Sequence, residues 1–120
     1  MKEHDGSNHL RLRPAQADAR SILAHALERV LPEAALRRYV SLDEACNVLT
    51  VAGRTYDLGR FERIIVVGGG KAARRTAAEL VRILGGRISA GALNVYRDQA
   101  REPIAEHVEL FAADHPIPNE

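Results

Sequence analysis

Lys71 comes directly after Gly68-Gly69-Gly70, with Arg74 and Arg75 following after two alanines, and the glycines come directly after Ile64-Ile65-Val66-Val67. A β-branched strand that runs through glycines into a helix leaves unpaired amides at the helix start, aimed above the strand's carboxyl end. The helix dipole adds partial positive charge at that point, so each exposed cation in the first turn costs about 0.3–1 kcal/mol. No Asp or Glu offsets them in sequence before Glu79. Like charges gathered against the dipole fit a site for an anion, phosphate or carboxylate. Lys71 stands out for a second reason. The chain meets its need for positive charge with arginine and has only two lysines, Lys2 and Lys71, so a compact ammonium has been placed at position 71. The bland alternative is a lysine head pointing into water from a first helical turn.

The elements that must hold this turn follow from periodicity. Residues 1–13 read as a flexible leader, and residues 14–120 as a single α/β domain. From Pro14, apolar side chains at Ala19, Ile22, Leu23, Ala26, Leu27, Val30 and Leu31 share one helical face that should cover something. Pro32 restarts the chain into a shorter helix that ends near Tyr39 and Val40. Residues 47–51 and 55–58 flank Ala52-Gly53-Arg54 and read as a hairpin. The run 64–67 is too short for a helix and lacks alternation, as expected of a parallel strand buried on both faces. A helix over 71–84 ends at Gly85-Gly86. Strands follow over 88–96, with Gly91 marking a bulge or close contact, and over 108–111. Strand, helix and strand make a right-handed βαβ unit. The fold class expected is therefore α/β: a Rossmann-like parallel sheet with flanking helices and a small β-hairpin, an incomplete part of a larger doubly wound domain.

Composition narrows the function. The chain has 120 residues, 46% hydrophobic and 28% charged, with a net charge of +1. That balance argues against bulk nucleic-acid binding, and 4% aromatic content without Trp supplies no stacking platform for bases. Cys46 is the single cysteine, reads as a small core residue, and fits a reducing cytoplasm. No signal peptide or membrane span is evident. His4, His9, His25, His107 and His115 lack ligand-like spacing, so no structural metal is expected.

Arg63-Ile-Ile-Val-Val-Gly-Gly-Gly-Lys-Ala-Ala, the helix after it, Gly85-Gly-Arg-Ile with its strand to Tyr96, and Ala113-Asp-His-Pro-Ile-Pro-Asn-Glu120 together resemble the amino-terminal part of the type-2 glycerate kinases, the two-domain MOFRL-containing enzymes. That family's pattern is a V-G-[AG]-G-K-A turn followed, after a second strand, by H-P-x-P-[DN]. The resemblance spans roughly residues 15–120. It implies that Lys71 is catalytic and that phosphate or substrate is bound by Gly68, Gly69, Gly70, Ala72, Arg74, Arg75, His115 and Asn119, with Pro116 and Pro118 holding the second segment. Members usually have Asp where this chain has Asn119, and often Ala at Gly69. The implied chemistry is phosphoryl transfer from ATP, with Mg²⁺, to a hydroxyl of D-glycerate, a reaction that asks for positioning and charge stabilisation. His115 would hold a substrate oxygen or accept a proton; fixed between two rigid turns, it would only be structural. The small-molecule substrate and the nucleotide are the partners implied, and a homo-oligomer is left open. The family's later glycine-rich loops and carboxyl-terminal domain have no counterpart here, so a piece inactive by itself is expected.

Two other readings compete. Gly68-x-Gly70-x-x-Ala73 fits the dinucleotide fingerprint, yet Tyr96 and Arg97 end the second strand where the ribose-binding acid should stand, and Asp98 comes too late. A module that binds an anionic metabolite without turnover is the other. A Walker A loop is excluded, because Ile65 stands where its first glycine belongs and Ala72 where Ser or Thr should follow the lysine.

Overall fold

The computed structural model describes residues 14–114, and the chain divides after Val30 into two units. In the first, α1 (Pro14–Val30) has no buried residue, and Ile22, Leu23, Leu27 and Val30 all stay more than half exposed. The remaining elements belong to the second unit. No helix among the described residues is long and apolar enough to cross a membrane.

Helix α2 (Pro32–Tyr39) opens on Pro32 and Glu33 and closes on Arg37 and Arg38, which is the charge order the helix dipole favours. It leads into β1 (Val40–Asp43), which pairs antiparallel with β2 (Val48–Val51), itself paired with β3 (Arg54–Asp57). The expected hairpin is thus β2–β3. Its two-residue loop puts Ala52 and Gly53 both at positive φ, the backbone that matches the twist of paired strands. Strand β1 was not foreseen. It shows only Val40 and Leu42 as an alternating pair, too few to reveal a period, and its identity comes from pairing with Val51 and Leu49. Cys46 is a further correction. It is exposed in the β1–β2 turn, where its amide donates to Asp43 Oδ1 at 3.1 Å, and Asp43 beside it pushes the thiol pKa up.

The second sheet is parallel, in the order β4 (Ile64–Gly69), β5 (Ile88–Tyr96) and β6 (Val108–Ala113), with α3 (Ala73–Leu84) between the first two strands. Val66, Leu93, Val95 and Val108 from the sheet pack with Ala77 and Leu84 of α3 in one buried cluster. Gly91 is the close contact expected. A Cβ there would lie 3.0 Å from the Val66 carbonyl oxygen and 3.0 Å from a Val108 methyl. Parallel pairing is as the apolar run implies, but burial on both faces is not. Val66 is 8% exposed, whereas Ile65 and Val67 are 57% and 74% exposed. On that second face Ala90, Ala92, Asn94 and Phe111 are exposed as well. The run 64–67 therefore has the composition of a doubly covered strand, with one of its faces bare in this unit.

Candidate functional site

The three glycines do three different things. A Cβ on Gly68 would meet Leu93 Cδ2 at 3.3 Å, so this position is small for packing. At Gly69 the nearest atom would be Asn94 Cβ at 3.6 Å, ordinary contact that an alanine would tolerate. Gly70 has φ of 101°, which side-chain-bearing residues rarely adopt, and here the chain turns out of the sheet. Its amide donates to the Asn94 carbonyl at 3.3 Å, and its own carbonyl accepts from the Ala73 amide at 3.1 Å.

That tight turn delays the helix. It begins at Ala73 rather than at Lys71, with Ala72 at the N-cap and no side-chain cap. The amides of Lys71 and Ala72 have no backbone acceptor among the described residues. Lys71 is exposed, and its ammonium forms no ion pair or hydrogen bond with any described residue.

Lys71 and Gly70 line a cleft of about 120 Å³ with Asn94, Val95, Tyr96, Ala113 and Asp114. The cleft lies at the carboxyl edge of the parallel sheet, where open α/β sheets bind ligands. Asp114 spans this edge. Arg97 Nε and Nη2 donate to its two carboxylate oxygens at 3.0 and 2.7 Å, which joins the ends of β5 and β6. The same contact holds the Asp114 carboxyl below its ordinary pKa.

The other two cations of the glycine turn are engaged elsewhere. Arg74 Nη1 donates to the carbonyls of Gln99 and Glu102, each at 2.7 Å, and braces the segment that follows β5. Arg75 Nη2 lies 2.8 Å from Glu33 Oε1 of α2. An acid does therefore offset the helix start, supplied from a neighbouring helix rather than from the sequence just downstream. Of the sequence-derived candidates the cleft brings together Gly70 and Lys71, with Gly68, Gly69 and Ala72 adjoining in the chain. His115, Pro116, Pro118 and Asn119 lie outside the described residues.

Asn94, Tyr96 and Asp114 were not anticipated. The signal was available: in a parallel sheet the last residues of every strand share one edge, so the ends of β5 and β6 must face the glycine turn. Asp98, the acid closest to the dinucleotide pattern, falls in the 3₁₀ turn Arg97–Ala100, beyond the end of β5.

An anion suits this cleft. The ammonium is a mobile point charge, and open amides next to it can accept phosphate or carboxylate oxygens. The cleft, about 120 Å³ and open on one side, has room for a phosphoryl group or a small hydroxy acid. Magnesium finds no cage among the described residues. Both oxygens of Asp114 are held by Arg97, and no three His, Cys, Asp or Glu side chains converge.

Comparison with known proteins adds two findings. Residues 18–120 match the profile of a family described as a domain of unknown function, DUF4147. The fold is similar to the crystal structure of glycerate kinase from Thermotoga maritima, with a TM-score of 0.59 and 25% identity over 85% of this chain and 20% of that one. The chain thus spans about a fifth of that enzyme's length. Among curated proteins none matches.

Proposed function

Because this chain belongs to the DUF4147 family, and the solved structure it resembles is a glycerate kinase, we propose that it forms the anion-holding wall of a glycerate kinase site. The reaction is transfer of a phosphoryl group from ATP to a hydroxyl of D-glycerate. The hydroxyl oxygen forms the new bond to phosphorus, the bond to the ADP oxygen breaks, and the hydroxyl proton leaves to a base. The observation that carries this reading is the match to glycerate kinase over 85% of the chain, and the cleft beside Lys71 is consistent with it.

Each nearby residue then has a physical task. Lys71 holds the acid's carboxylate next to the reacting hydroxyl and from there also faces the charge that develops on the transferring group, and the amides of Lys71 and Ala72 add fixed dipoles, so little reorganisation is needed during reaction. Gly70 sets the turn that presents them. Arg97 and Asp114, locked together, fix the far rim of the cleft. Mg²⁺, when bound with the nucleotide, supplies neutralisation of the phosphate charge.

The test is an ATP-dependent phosphorylation assay on D-glycerate. Residues 1–120 alone should show no turnover, since they match a fifth of the enzyme. In the complete product of the gene, Lys71→Ala should lower kcat by roughly 100-fold or more, the scale seen when one preorganised donor is removed. Lys71→Arg should recover only part, because a planar guanidinium cannot occupy the point of an ammonium. Undiminished turnover in Lys71→Ala would sink the assignment. Anion binding by the complete product without any transfer would favour the non-catalytic metabolite-binding module.

A further inference from the structure

We infer that Asn94 is the residue of this cleft that reads the hydroxyl of a small hydroxy acid. The identity of the acid rests on the reading of the cleft as part of a glycerate kinase site; the role of Asn94 rests on its own surroundings.

Asn94 sits in the middle strand of the parallel sheet, opposite Gly69 on one side and Phe111 on the other. Asparagine is disfavoured in strands. The other exposed positions of that face near it, Val67, Ala92 and Phe111, are apolar or small. The Asn94 carboxamide makes no hydrogen bond with any described residue, so neither strand propensity nor a structural contact accounts for it. Its backbone carbonyl, in contrast, is tied to the Gly70 amide at 3.3 Å, which fixes the strand to the turn that carries Lys71. Gly69, the neighbour on β4, has no side chain to cover the carboxamide, and Asn94 and Lys71 line the same cleft. The pair combines a non-directional charge with a group that both donates and accepts. Lys71 can hold any small carboxylate, whereas an acid with a hydroxyl can in addition donate to the Asn94 carbonyl oxygen and so satisfy both sides of the carboxamide. The cleft, about 120 Å³ and open on one side, has room for a three-carbon acid.

The experiment compares D-glycerate with propionate, which has the same carboxylate and carbon count without the hydroxyls. Each is titrated into isotope-labelled residues 1–120 and followed by the amide resonances of Gly70, Lys71, Ala72 and Asn94. The wild-type chain should bind D-glycerate about 3- to 10-fold more tightly than propionate, the range of one net hydrogen bond. Asn94→Ala should bring the two affinities together by weakening D-glycerate more than propionate. Lys71→Ala should weaken both acids. Asn94→Asp, with its negative charge beside the incoming carboxylate, should also weaken both. Retained preference in Asn94→Ala, equal binding of the two acids by wild type, or no shift with either acid would overturn the inference. Its failure and that of the kinase reading are separable. A preference that depends on Asn94, without phosphoryl transfer in the complete gene product, would remove the kinase and keep the role of Asn94. Transfer without that dependence would do the reverse.

Discussion

The middle of α3 and the glycine turn before it handle charge in opposite ways. Midway along the helix, Glu79 is 5% exposed and receives four hydrogen bonds: from Arg37 of α2 at 2.9 and 3.2 Å, and from Arg82 one turn on at 2.9 and 2.7 Å. Every charge there is answered by another, and the carboxyl pKa is lowered to about 2, first by Arg82 and then by Arg37. At the amino end Arg74 and Arg75 are likewise answered, by two carbonyls and by Glu33. Lys71 alone, among the cations of that turn, meets no described partner. A buried charge is retained where its partners are built in. The ammonium of Lys71, beside the open amides at the edge of the parallel sheet, has by contrast no partner built in among the described residues.

The sharpest way to break this comparison is to delete each charge and measure melting and turnover together. Lys71→Ala, which should cost the complete gene product most of its activity, should melt no earlier than wild type, because a cation is removed from the positive end of a helix. A drop in melting temperature with retained turnover would place Lys71 in the scaffold.

Glu79→Gln should do the reverse. It keeps the volume but loses charged acceptors for two arginines, at an expected cost of about 2 kcal/mol, measured by urea denaturation of residues 1–120. The pH dependence supplies a second readout. Glu79 has a pKa of about 2 when folded against an ordinary 4.5, so between these values the unfolded chain binds more protons. Its stabilisation is complete above about pH 5 and fades as pH falls towards 2. Wild type and Glu79→Gln should therefore converge in acid. A constant gap down to pH 2 would show that the pairing with Arg37 and Arg82 is not what Glu79 contributes.

What the sequence revealed divides along the same line. The strand–glycine–lysine turn, α3, β5, β6 and the β2–β3 hairpin were legible because each is written in a local run: β-branched residues, apolar spacing at 3–4, or glycines at a turn. The resemblance to the amino-terminal part of the glycerate kinases was read from the same stretches, and the structural match bears it out. Partners were not legible, because pairing is non-local. Glu33 lies on α2, far from Arg75 in sequence, and the carbonyls that hold Arg74 lie 25 and 28 residues downstream. Nothing in residues 71–79 distinguishes an arginine destined for a loop carbonyl from one awaiting a phosphate. Asn94 and Asp114 were missed for a related reason, since they join the glycine turn only through strand register.

Arg74→Gln tests one of those non-local contacts. Losing a charged donor shared by the Gln99 and Glu102 carbonyls should cost about 1–2 kcal/mol and speed hydrogen exchange in residues 97–102, with little change elsewhere. Exchange unchanged in that segment would show that the segment does not depend on Arg74.

Arg75→Gln has the smallest expected effect, because two terms oppose each other. The ion pair with Glu33 is exposed on the arginine side and contributes about 0.2–1 kcal/mol. The same guanidinium stands in the first turn of α3, where the dipole penalises it by about 0.3–1 kcal/mol. Removing it loses the first and relieves the second, so stability should change by less than about 0.5 kcal/mol. Both terms are screened by salt, so the difference should also be nearly independent of ionic strength. Turnover in the complete gene product should hold within about 3-fold, a change of roughly 0.7 kcal/mol in barrier, since Glu33 already occupies the side chain. A loss of activity close to that of Lys71→Ala, with stability unchanged, would mean that Arg75 leaves Glu33 for the anion. The open end of α3 would then present two cations rather than one.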